Sequence, residues 1–140
     1  MIIIDTNVVS ELMRATPDPA VLAWFDGHAA GALFLSAISE AELRTGAAIL
    51  PAGQRRDRLV VAIDAMIDQD FAGRVLPFDS PAARSYAEIA VARRKAGKPI
   101  MDADCQIAAI ARASRATIAT RNVKDFESCG IDIINPWNDA

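Results

Sequence analysis

Four acids stand where short apolar runs give way to polar chain. Asp5 follows Ile2-Ile3-Ile4 directly, and Glu42 falls early in the segment after Leu33-Phe34-Leu35. Asp104 lies in the first turn of a helical stretch opening near Asp102, and Asp125 closes Thr120-Arg121-Asn122-Val123-Lys124-Asp125. Carboxylates crowded together repel and raise each other's pKa. Such a cluster persists where something compensates it, and a hard divalent cation is the natural candidate. Mg2+ or Mn2+ prefers oxygen ligands, retains waters and shares phosphate oxygens. Held among acids, it polarises a phosphoryl group and activates a water for in-line attack.

This chemistry requires the four acids to meet, so the elements that carry them matter. Ile2-Ile3-Ile4, Leu33-Phe34-Leu35, Arg74 to Phe78, Thr117 to Thr120 and Ile131 to Ile134 read as short, fully buried strands. Helical spacing fills the intervals: Val8 to Met13 with Thr6 or Asn7 as cap, Pro19 to Ala29, Glu40 to Leu50, and one long helix over Gln54 to Phe71. Two more follow, from Pro81 to Ala96 with Asp79 or Ser80 as cap, and from Asp102 to Ala113. Strands of this kind alternating with helices predict an α/β fold whose mostly parallel sheet of four to five short strands is covered on both faces. In such folds the loops at the carboxyl ends of the strands line one edge, where ligands bind. All four acids fall on that edge.

Each acid also has a structural reading. Ser39-Glu40-Ala41-Glu42 fits a capping box with Ser39 as N-cap. Asp102 or Asp104 suits a helix start, Asp5 the cap of the helix after it, and Asp125 a turn. Asp102 in particular reads as a helix cap, with an accessory place in the site as the alternative. Taken together these readings fare worse, because they leave the shared edge unexplained. Arg93-Arg94-Lys95 reads as complementing a helix C-terminus rather than binding nucleic-acid phosphates. Trp24, Phe25 and Trp137 read as packing residues.

Composition narrows the class. The chain has 140 residues, a length typical of one domain, and 52% hydrophobic residues, so it can fold without disulfides. Its 18 acids against 15 bases give a formal charge of −3, which excludes a broadly basic nucleic-acid-binding surface. His28 is the single histidine, which removes His-based triads and zinc sites. Cys105 and Cys129 form no metal-binding spacing and read as two reduced thiols. The start has no basic leader, and no apolar run approaches the ~20 residues of a membrane span. A cytoplasmic protein without membrane contact is expected.

Ile4-Asp5-Thr6-Asn7-Val8 with Ser10-Glu11 resembles the opening of PIN-domain proteins. Ser39-Glu40-Ala41-Glu42-Leu43 is similar to their second acidic motif, Asp104-Cys105-Gln106-Ile107-Ala108-Ala109 to their third, and Thr120 to Phe126 to their last. The likeness runs from Met1 to Trp137, and the ending Asn135-Pro136-Trp137 is similar to that of the FitB-like branch of VapC toxins. The resemblance implies a single PIN-like domain over 1–140 with three α/β/α layers. It further implies a divalent-metal endoribonuclease acting as the toxin of a type II toxin–antitoxin pair. RNA as substrate, Mg2+ or Mn2+ as cofactor, a cognate antitoxin and a homodimer come with it. Asp5, Glu42, Asp104 and Asp125 match the acidic positions, with Asp5 and Asp104 as metal ligands and Glu42 and Asp125 acting directly or through water. Thr6, Asn7, Thr120 and Asn122 become groups that orient carboxylates or water.

Two rivals compete. Phosphatases and receiver domains also use a strand-end Asp with Mg2+, but Asn7 stands where a phosphatase has its second acid. A catalytically inert module, its acids quenched by metal or a basic peptide, is the other.

Overall fold

The computed structural model describes residues 1–138. Five strands form one sheet: β1 (Ile2–Ile4), β2 (Leu33–Ser36), β3 (Val75–Leu76), β4 (Thr117–Ala119) and β5 (Ile133–Ile134). Their order is β3-β2-β1-β4-β5 and every pairing is parallel. Six helices connect them: α1 (Thr6–Leu12), α2 (Pro19–Asp26), α3 (Ala37–Ala48), α4 (Gln54–Ala65), α5 (Ser80–Lys95) and α6 (Asp102–Ala113). The result is the expected three-layer α/β/α arrangement.

The unbroken apolar runs of the strands follow from burial on both faces. Ile3 and Ile118 point into a core shared with Ile89 of α5 and Ile107 and Ile110 of α6. Their neighbours Ile4 and Ala119 point the other way, onto Val8 and Val9 of α1, Val21 and Trp24 of α2, and Leu35. Each fully buried Ile or Val contributes roughly 1.5–3 kcal/mol of burial free energy. The chain leaves β1 toward β2 and β3 on one side, then returns to β4 and β5 on the other. That reversal opens a crevice at the carboxyl ends of β1 and β4, the usual place for a ligand in an open parallel sheet.

Several boundaries differ from the sequence reading, each for a local reason. Asp5, not Thr6 or Asn7, caps α1, so the helix begins two residues early. Ser36 caps α3 by accepting from Ser39 N, which places Ser39 inside the first turn, abolishes the supposed capping box and puts Glu42 in the second turn. The long helix does not run unbroken to Phe71. It widens into a π turn over Met66–Asp70, where Phe71 N donates to Met66 O at 2.9 Å. Both Met66 and Phe71 thereby face the core.

Helices α5 and α6 end alike. Lys98 N bonds Arg93 O and Gly97 N bonds Arg94 O, with Gly97 left-handed at φ 72°. At the end of α6, Ala116 N bonds Ala111 O, but the left-handed residue is Arg115 at φ 54°. The two positions predict opposite responses. Gly97→Ala should destabilise by about 1 kcal/mol through backbone strain, since a Cβ there meets nothing within 4 Å. Arg115→Gly should stabilise by about 0.5 kcal/mol, strain relief outweighing the added freedom of the unfolded chain. Urea unfolding of both variants checks the pair.

Candidate active site

Asp5 occupies the crevice because the backbone delivers it there. Its N–H completes the β1–β4 ladder on Ala119 O at 2.9 Å, and its carbonyl accepts from Val8 and Val9 of α1. The carboxylate is 5% exposed, and isolated burial of such a charge is costly. Three donors offset that cost: Thr6 N at 2.8 Å on Oδ1, Thr120 Oγ1 at 2.8 Å and Asn7 Nδ2 at 3.2 Å on Oδ2. The donors are themselves fixed. Thr120 Oγ1 accepts from Asn122 N and Asn7 Nδ2, while Asn7 Oδ1 accepts from Arg121 N. Burial nevertheless dominates and raises the Asp5 pKa, against the lowering by Thr120 and Thr6, with Glu42 and Asp125 adding to the rise.

Glu42 arrives from α3. Its Oε1 accepts from the Thr6 hydroxyl at 2.8 Å, and that hydroxyl lies 2.8 Å from buried Ser39 Oγ. Thr6 therefore bridges α1 and α3 and aims the Glu42 carboxylate at the crevice. Asp104 stands at the third position of α6, where the helix dipole favours an anion. No donor among the described residues reaches its carboxylate. Its pKa is pushed up from 3.8 to about 6 by burial first, then by Asp5, Asp125 and Glu42, with Arg93 opposing.

Asp5, Glu42 and Asp104 line one polar cleft of about 540 Å³ with Thr6, Asn7 and Asn122. Asp125 does not line it: the residue is exposed on the turn Val123–Phe126 and acts on Asp5 and Asp104 through its charge. Asp102 is not a cap. Met101 occupies the N-cap position without a side-chain bond, and Asp102 instead accepts the Tyr86 hydroxyl, which pushes the Tyr86 pKa up to about 12.

A divalent cation is tested by the donors present. All are oxygens, as Mg2+ and Mn2+ require, and the charges of Glu42 and Asp125 help to raise the pKa values of Asp5 and Asp104. No group of three or more His, Cys, Asp or Glu side chains among the described residues is placed to hold a metal ion by itself. A hard ion that keeps several waters and binds through one or two carboxylates fits this open set. A second groove between α1, α2 and α4 is of similar size, about 550 Å³, but its lining is mostly apolar, with Asp26 and Asp70 accompanied by Arg58.

Five contributors escaped the sequence reading. Ser39 acts through Thr6, and its position in an apparent capping box disguised it. Arg14 and Arg121 reach the cleft rim, and Trp137 lines the cleft rather than only packing. Arg93 is the fifth. It is 6% exposed and carries no ion pair among the described residues. Its guanidinium donates to the carbonyls of Lys98, Asp125 and Glu127 at 2.7, 2.9 and 3.0 Å, pinning the turn that bears Asp125. No spacing in the sequence separates it from Arg94 and Lys95, which stay exposed.

Residues 2–129 match the PIN domain family. The chain is 50% identical over its full length, and that of the relative, to a VapC ribonuclease of Sinorhizobium fredii. The chain belongs to the PIN-domain family, on its VapC toxin branch. It is also 42% identical to Toxin FitB of Neisseria gonorrhoeae over 99% of this chain and 100% of that protein. The crystal structure of FitAcB from the same organism superposes with a TM-score of 0.93 at 42% identity, covering 99% of both chains. VapBC from Salmonella typhimurium, bound to DNA, shares the fold at 24% identity with a TM-score of 0.83, covering 96% of this chain and 97% of that one.

The acid cluster of this PIN domain carries a stability cost with a defined sign. Asp104 binds its proton more tightly folded than unfolded, so without metal the penalty is absent below pH 4 and fully present above pH 6. Asp104→Asn in chelator should therefore gain stability above pH 6, on the order of 1 kcal/mol after discounting for solvent screening, and none below pH 4. Thermal melts of parent and variant across this range decide it. A variant that melts lower at pH 7 would make Asp104 a helix-start residue first.

Proposed function

We propose that the chain, as one PIN-like domain over 1–140, is a Mg2+- or Mn2+-dependent endoribonuclease and the toxin of a type II toxin–antitoxin pair. The observation that carries this is the convergence of Asp5, Glu42 and Asp104 on one polar cleft, with Asp5 buried yet triply hydrogen-bonded. Asp5 and Asp104 are the residues that would hold the cation. When bound, it supplies positive charge against the phosphoryl oxygens and makes a water acidic enough to attack in line.

The chain's own groups do the rest. Thr120, Asn7 and Thr6 N hold the Asp5 carboxylate in one orientation, and Thr120 and Thr6 oppose the rise in its pKa. Thr6 engages Glu42 at Oε1, leaving Oε2 open to accept a proton from water in the cleft. Asn122 fixes Thr120 and so acts through Asp5. Asp125, held by Arg93, adds negative charge at the margin and takes part through water. The phosphatase reading loses ground at Asn7, whose amide donates to Asp5 where that mechanism needs an acid.

The same acids invite a protein inhibitor. The antitoxin places a basic side chain among them, an arginine matching the carboxylates in a fork geometry. Co-expression with such a partner should relieve growth arrest caused by the chain alone, and the active form is a homodimer.

Asp5→Asn and Asp104→Asn should each lower RNA cleavage roughly 100-fold or more, and Thr120→Val roughly tenfold. Circular dichroism should show all three folded. Undiminished cleavage in excess chelator, or by both acid variants, would overturn the metal mechanism, and absence of cleavage by the parent would leave the inert-module reading standing.

A further inference from the structure

Two arginines share the cleft with the acids, Arg14 and Arg121, and their electrostatic situations differ. Arg14 Nη1 lies 2.9 Å from Oε2 of Glu11, a buried carboxylate, so its charge is already matched. Arg121 has no carboxylate partner among the described residues. Its guanidinium instead sits 5.0 Å from the ring centroid of Trp137, which also lines the cleft. An arginine stacked this way is held in place while its N–H edge stays open to pair with two oxygens of one oxyanion, such as a phosphate.

The backbone ties Arg121 to the acid site. It follows Thr120, whose hydroxyl holds Asp5, and its own N–H donates to Asn7 Oδ1 at 3.2 Å. The chain carries a formal charge of −3, so attraction for a polyanion must come from a local cation rather than from the surface as a whole. We propose that Arg121, seated on Trp137, is a subsite for the RNA phosphate adjacent to the one being cleaved. The inference rests on the ribonuclease reading and names how that site engages its substrate.

Steady-state cleavage of a single-stranded RNA oligonucleotide tests it. Arg121→Ala should raise KM about tenfold with kcat within a few-fold, and reduce the slope of log(kcat/KM) against log[salt] by about one. Arg121→Lys should fall between, since it keeps the charge without the planar fork. Trp137→Phe should stay near the parent. Arg121 is exposed, so its removal should leave the melting temperature nearly unchanged. An unchanged KM and salt slope in Arg121→Ala overturns the proposal. So does a larger KM rise in Trp137→Ala than in Arg121→Ala with the salt slope kept, which would mean that the ring stacks a base. If the parent cleaves no RNA, the ribonuclease reading fails instead. Binding of the same oligonucleotide in chelator then judges the subsite alone, by whether the parent binds and Arg121→Ala lowers both affinity and salt slope.

Discussion

A carboxylate shielded from water has to be neutralised or surrounded by donors, and Asp5 lies where the sheet order reverses, almost wholly inside the molecule. Much of the architecture around the crevice answers that demand. The parallel pairing of β1 with β4 brings Thr120 beside Asp5 across a sequence separation of 115 residues. The immediate start of α1 after β1 supplies Thr6 N and Asn7. Asp5 is thus a helix cap and the centre of a site at once, and the cap geometry is what aims its oxygens. The two readings weighed as alternatives for this residue coexist.

Around Asp5 the demand inverts. Its neighbours add negative charge, and Asp104 has no donor of its own among the described residues. The molecule accepts this repulsion and balances it only in part, through the helix dipole at the start of α6 and the buried guanidinium of Arg93. Arg93 couples two structural tasks. The left-handed turn at Gly97 brings Lys98 O back to its Nε, and the remaining donors reach forward to the Asp125 turn. One side chain thereby ties the end of α5 to the segment after β4.

The fold was legible because burial on both faces forces unbroken apolar strands, and runs such as Ile2-Ile3-Ile4 admit little else. The acids at the strand ends were legible for the same reason: an abrupt carboxylate after such a run marks the edge of the sheet. What stayed hidden depends on tertiary contact. Ser39 and Glu42 have the spacing of a capping box, yet the helix starts earlier because Ser36 captures Ser39 N. Asp102 looks like a cap and serves Tyr86, a partner 16 residues away. Arg93 differs from Arg94 only in facing inward, and the π turn at Met66–Asp70 follows from the need to bury both Met66 and Phe71. Asp125 matches its motif, but only the structure puts it at the margin rather than in the cleft.

If a cation is what relieves the repulsion among these acids, its binding must compete with a proton on Asp104, whose pKa stands at about 6. Calorimetric titration of the chain with Mn2+ at pH 5 and pH 7.5, in buffers of different ionisation enthalpy, measures this directly. The account predicts tighter binding at pH 7.5 and release of up to one proton per ion at pH 5. Absence of binding at pH 7.5, or an affinity and proton count that do not change between the two, would contradict it.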